Sequence, residues 1–360
     1  MDVFVTGASM LKVDKYYENG LLDLAVASVS GLEDLLSEKR PDALILASGY
    51  GESTEEQVQL AGKLSNALGY SVPAIRVENG DASGGSAVFS AYSLVKSGLA
   101  KSVLVVGVEK LADFPASQLN EIIARNLDEE FSYRAGVVPQ AYAAIMMKLY
   151  MKRYNLPREY FSEWPYHMHR YAAENNYAFL RFPVEKDTIL ESQVISDPLR
   201  LFDTAARADG ASAVLISSDE VARKVSETPV KIEGVRFSST GVNLRELLSV
   251  RDVMNEMRDF RPDFYEVHDS YSVIAAMILD ELGLERGKSL YSLDDLAVNY
   301  SGGLKARGYP GGATGIYQVA EGFMQLTESF KGRRVNGARK GLIISMDELG
   351  TTAVSVALSR

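Results

Sequence analysis

No cysteine occurs anywhere in the 360 residues of this chain. That absence removes disulfides, thiolate metal sites and thiol nucleophiles together. Histidine is scarce, with three in all, and tryptophan occurs once. Basic residues are in deficit: 38 Lys and Arg against 48 Asp and Glu leave a net charge of −10 and a pI near 5.1. Phosphate backbones call for clustered positive charge, so nucleic acid is not an expected partner. No run approaches the roughly 18 apolar residues of a membrane span, and the N-terminus lacks a signal peptide's basic start and apolar centre. The expectation is a cytoplasmic protein with no membrane association.

What is present is ordinary for a globular protein, with 46% apolar and 24% charged residues. The length suits two domains or two fused halves. The stretch that organises the chain is Val77-Glu-Asn-Gly-Asp-Ala-Ser-Gly-Gly-Ser-Ala87, set between an apolar run and a helical run. Its glycines and small hydroxyl residues read as a tight strand-to-helix turn with Asp81 at the start of the helix. Asp before a helix is also a common N-cap.

Strand and helix signals alternate along the rest. Val3 to Ala8, Ala43 to Ala47 and Ser102 to Val108 read as strands, whereas Leu21 to Leu36 and Glu55 to Leu68 read as helices. This is the rhythm of a layered α/β fold with central strands buried on both faces. From Leu111 to about residue 200 the rhythm breaks, in a segment holding Trp164, many tyrosines, His167 and His169. It reads as a loop domain over the core. His167 and His169, two apart, suit a strand rather than a helix face and lack a third ligand, so no metal is expected. The cluster Tyr142, Met146, Met147 and Tyr150 reads as core or subunit interface.

The second half repeats the first. Arg261-Pro-Asp-Phe-Tyr-Glu-Val-His268 echoes Arg40-Pro-Asp-Ala-Leu-Ile-Leu-Ala47, and Gly308-Tyr-Pro-Gly-Gly-Ala313 echoes Gly80-Asp-Ala-Ser-Gly-Gly85. The strand Gly341 to Ser345 follows the second copy as Ser102 to Gly107 follows the first. Duplicated α/β halves are therefore expected at 1–225, containing the loop domain at about 111–200, and at 226–360. A pseudo-twofold axis would place Asp81 and Tyr309 in equivalent positions.

Four motifs in order resemble the thiolase superfamily, in its sterol-carrier-type and archaeal acetyl-CoA acetyltransferase-like branch. Asn79-Gly-Asp-Ala-Ser-Gly-Gly-Ser-Ala87 resembles the nucleophile turn, and Asp197 through Val214 the stretch closing the first half. His268-Asp-Ser-Tyr271 is similar to the His-Asp-Cys-Phe motif, and Asn299 through Gly315 to the glycine-rich Gly-His-Pro motif. The resemblance implies five-layered αβαβα packing, homodimers or homotetramers, and CoA or acyl-CoA as ligand with no required cofactor. It also implies partners of the archaeal type: a small zinc-containing OB-fold protein and a hydroxymethylglutaryl-CoA synthase.

The departures fall on the chemistry. The family's nucleophilic cysteine falls on Asp81, its Gly-His-Pro histidine on Tyr309 and its His-Asp-Cys cysteine on Ser270. Only His268, which the resemblance makes an oxyanion-hole contributor, is kept. Asp81 is a poor acyl carrier, because a carboxylate attacking a thioester would form an anhydride, which lies uphill. A phenol, with a usual pKa of about 10, is a proton donor rather than a base at neutral pH. Tyr309 is accordingly expected to hydrogen-bond Asp81 across the pseudo-axis. The reading is a thiolase-like protein without thiolase chemistry that binds CoA or acyl-CoA or serves an acyl-CoA-processing complex. The alternative is an acyltransferase- or lyase-type enzyme with altered chemistry on Asp81, Tyr309 and His268.

Overall fold

The computed structural model describes residues 1–360. Its nine-stranded sheet comprises β1 (Val3–Met10), β2 (Ala43–Ala47), β3 (Ala74–Val77), β4 (Ser102–Glu109), β5 (Gly210–Ser218), β6 (Val230–Ser239), β7 (Phe264–Val267), β8 (Lys340–Met346) and β9 (Thr352–Ser359). Their order is β3-β2-β4-β5-β1-β6-β9-β8-β7. Within the sheet the two halves are joined by only two residue pairs, Phe4 with Lys231 and Val5 with Val230. Outward from that seam both halves run alike: two antiparallel pairings, then a parallel one. Beyond β2 lies parallel β3, and beyond β7 a single parallel bridge, Tyr265 to Val298, stands in its place. The two Arg-Pro-Asp echoes lead into β2 and β7, which occupy matching positions.

Side-chain alternation along the strands builds the layers. In β2, Ala43, Ile45 and Ala47 join one apolar cluster, while Leu44 and Leu46 join another. The first cluster is shared with two central helices, α3 (Ser83–Lys96) and α8 (Thr314–Leu326). The second is covered by α1 (Leu21–Val29) and α2 (Leu60–Ala67). In the other half Ile343 faces the central helices, and Leu342 and Ile344 face α6 (Leu248–Glu256) and α7 (Ser272–Glu281). The result is helix, half-sheet, helix, half-sheet, helix, the five layers expected for the thiolase fold.

The central helices meet at backbone distance. A Cβ on Gly84 would stand 2.7 Å from the Gly315 nitrogen, and one on Gly315 would stand 2.3 Å from the Gly85 nitrogen. Backbone cannot yield as a flexible side chain can, so Gly84→Ala is expected to destabilise by about 3 kcal/mol. Urea unfolding checks this: the midpoint should fall with an unchanged slope.

Two helices are shorter than the periodicity suggests. Leu21 to Leu36 breaks at a 3-10 turn over Ser30–Leu32, where Ser-Gly weakens the helix. Glu55 to Leu68 splits into Gly51–Glu55 and α2, with Glu56 and Gln59 at positive φ between them. The segment expected to be loop-like is largely helical, with α4 (Pro139–Tyr154) and α5 (Glu163–Glu174) packed through Met146, Met147, Trp164 and Tyr171 onto α7. His167 and His169 lie on α5 rather than a strand, and at a spacing of two they face different surroundings. His169 Nδ1 lies 3.1 Å from the Phe182 carbonyl, whereas His167 stands 3.9 Å from both Glu163 and Asp294. No helix is long and apolar enough to cross a membrane.

Candidate functional site

Asp81, His268, Ser270 and Tyr309 lie where the turns from β3, β7 and the glycine-rich segment approach one another, and all four are buried. Asp81 sits just before α3, yet it caps nothing: the N-cap is Ala82, with no side-chain cap bond. Ser83 Oγ instead accepts from the Asn79 N–H, leaving the Asp81 carboxylate for tertiary partners.

Those partners are not the expected ones. Tyr50 donates its hydroxyl to Asp81 Oδ2 at 3.0 Å, and Asn126 Nδ2 reaches the same oxygen at 3.4 Å. Arg207 brings its Nη1 to 3.6 Å from Asp81 Oδ1 and donates from Nη2 to Glu348 Oε2 at 2.7 Å. Its guanidinium also lies 4.3 Å from the centre of the Tyr309 ring. The anticipated Tyr309–Asp81 bond therefore does not form, because a cation satisfies a buried carboxylate better than a phenol does. Tyr309 turns its hydroxyl to His268 Nε2, 3.1 Å away.

Ser270 stands one step back. Its Oγ donates to the Glu348 backbone carbonyl at 3.2 Å, which fixes the loop carrying Glu348. Tyr271 donates to the Glu348 carboxylate itself. The site is thus two buried carboxylates around one guanidinium, flanked by three phenols and an imidazole.

Burial dominates the electrostatics. It pushes the Tyr309 phenol well above its usual range, with Asp81 adding to the effect. It pushes Glu348 up against the pull of Arg207. Burial brings the His268 imidazole down to about 3, helped by the positive charges of Arg207 and Arg307. The sign follows directly: an unfolded chain takes up a proton near the usual 6.5, while the folded chain resists it. Stability from this group is complete above about pH 6.5 and is lost as pH falls towards 3. His268 should still be neutral at about pH 5, where a free histidine is charged. Nitrogen-15 NMR of the three imidazoles checks this, since protonation moves both ring nitrogens.

Sequence reasoning assigns no role to Arg207, Glu348, Tyr50 or Asn126, nor to Tyr271 at the end of the His-Asp-Ser-Tyr motif. Arg207 lies inside the stretch that carries the family resemblance, and a buried Asp81 requires a counter-charge. No group of three or more His, Asp or Glu side chains is placed to hold a metal ion.

Fold and site together define a protein of the duplicated, five-layered α/β class. Residues 42–220 match the pattern described as Thiolase, N-terminal domain, and residues 254–360 match Thiolase C-terminal domain-like. An acetyl-CoA acetyltransferase of Methanothermobacter thermautotrophicus is 30% identical over 383 residues, covering 100% of both chains. Sterol carrier protein 2 of Gallus gallus is 26% identical, covering 98% of this chain and 71% of that one. Among solved structures, an Ltp2-ChsH2(DUF35) aldolase superposes with a TM-score of 0.82 at 18% identity, covering 99% of this chain and 97% of its own. The chain belongs to the thiolase family.

Proposed function

We propose that this chain binds a CoA thioester at the Asp81–His268–Tyr309 seat and forms no acyl-enzyme. The observation that carries the reading is a buried Asp81 carboxylate committed to Tyr50 and Arg207, in a chain with no cysteine and at the position where the family resemblance implies a thiol. A carboxylate so held is a weak nucleophile, and its acyl product would be an anhydride above the thioester in energy. The acetyl-CoA acetyltransferase relative supplies the ligand class. In this reading the chain works as a homodimer or homotetramer inside a cytoplasmic acyl-CoA-processing assembly. The archaeal-type partners implied by the family resemblance, an OB-fold zinc protein and a hydroxymethylglutaryl-CoA synthase, are the candidates. Calorimetry with CoA and with acetyl-CoA tests the binding: saturable heat is expected from both, and flat titrations refute it. Co-purification that returns only copies of this chain counts against the assembly.

A second reading has a specific observation behind it. Asp81 Oδ1 and Arg207 Nη1 are both buried, and neither makes a hydrogen bond within the chain. An acceptor and a donor side by side suit a hydroxyl group on a ligand. In a 3-hydroxyacyl-CoA, Asp81 would take the hydroxyl proton, the bond between the α and β carbons would break, and a carbonyl fragment would leave. The thioester enolate left behind would take its proton from Tyr309. This is lyase chemistry, the class named for the aldolase neighbour. Carbonyl release from a panel of 3-hydroxyacyl-CoA esters, abolished by Asp81→Asn, supports it, and silence across the panel refutes it.

A further inference from the structure

We propose that Glu109 is a positioning residue that sets Asp81 and Tyr309 relative to each other across the two halves. The inference rests on the reading of their seat as the ligand site. Glu109 ends β4 and is fully buried. Its Oε1 accepts from the Ser48 hydroxyl at 2.9 Å and the Tyr50 N–H at 3.0 Å. Its Oε2 accepts from Gly49 N–H and Gly312 N–H, both at 2.9 Å. Four donors from two separate loops therefore converge on one carboxylate.

Each loop carries part of the site. The first presents Tyr50, whose hydroxyl holds Asp81. The second follows Tyr309 by three residues and leads into the central helix α8. The Asp81 turn is wedged between them without side chains to soften the contact. A Cβ on Gly49 would stand 2.5 Å from the Gly80 carbonyl oxygen, and one on Gly312 would stand 2.4 Å from the Gly49 nitrogen. A shift of the Gly49–Tyr50 loop is thus passed directly to Gly80 and Asp81, and a shift at Gly312 to Tyr309.

Neighbouring charges do not supply this link. Lys110, next in sequence, is turned to Asp113 at 2.7 Å and Asp209 at 3.1 Å. Burial pushes the Glu109 carboxyl up to about 7, and the four donors oppose that shift. A carboxylate accepts all four hydrogen bonds at once, whereas an amide of the same shape turns an NH2 group towards two of the donors.

The test uses the full chain and Glu109→Gln. His268 reports on Tyr309 through their shared hydrogen bond, and three histidines give a resolvable nitrogen-15 spectrum. The expected result is a shift of the His268 ring nitrogens, with His167 and His169 unmoved, and CoA affinity weakened at least about tenfold. A lowered melting temperature with His268 unmoved and affinity within about twofold overturns the proposal and leaves Glu109 a structural residue. Should the glutamine variant fail to fold, Glu109→Asp keeps the charge, shortens the reach by one carbon and is read in the same two ways. If the wild-type chain binds no CoA, the proposed function fails, and the His268 spectrum alone still decides the role of Glu109.

Discussion

Arg207→Met is expected to destabilise the folded chain by about 3–5 kcal/mol. Asp81 and Glu348 would then be two buried carboxylates with no cation between them. Methionine fills a similar volume, so the loss reports charge rather than a cavity. Chemical denaturation measures it, and the compensating changes identify its cause. Asp81→Asn with Glu348→Gln, added to Arg207→Met, should recover a large part of the loss, because no buried charge is then left unpaired. A mild Arg207→Met phenotype, or one that the amide pair does not rescue, would show that the guanidinium does not hold the site together.

Arg307→Met should be comparably severe, again by about 3–5 kcal/mol. Arg307 and Glu321 are both fully buried, with Nε 3.0 Å from Oε1. Glu266, held by Ser301, lies close enough for Glu321 to push its carboxyl up in addition to burial. Removing the cation leaves two buried acids facing each other, so Glu321→Gln should partly rescue the variant. This change also carries a readout at the site. Arg307 is one of the two charges that hold the His268 imidazole down. In Arg307→Met, His268 should therefore begin to protonate at a higher pH than in the wild type, visible by nitrogen-15 NMR. An unmoved His268 titration would separate the buried pair from the site.

Much of this architecture is legible from the chain because its signals are local. The Arg-Pro-Asp echoes and the apolar strands mark β2 and β7, and the glycine-rich turns mark the starts of the two central helices. The same locality explains what was missed. Ser30-Gly31 and the positive φ values at Glu56 and Gln59 interrupt helices that hydrophobic periodicity runs together. At the site, Asp81, His268, Ser270 and Tyr309 stand inside recognisable motifs, and the fold brings them together. Arg207 and Glu348 are separated by 141 residues in sequence, and no periodicity announces their pairing. Symmetry and donor–acceptor matching pair Tyr309 with Asp81 in the sequence, and neither shows that a guanidinium has the better claim on a buried carboxylate. The seat thus holds a carboxylate, a phenol hydrogen-bonded to an imidazole, and an arginine between two acids.

The proposed site holds a CoA thioester without being acylated by it. Native mass spectrometry of the chain incubated with acetyl-CoA, followed by the same sample under denaturing conditions, tests it most directly. A ligand-bound mass is expected in the native spectrum, and the bare chain after denaturation. An acetyl adduct that survives denaturation and maps to Asp81 would contradict it, as would a native spectrum with no bound ligand.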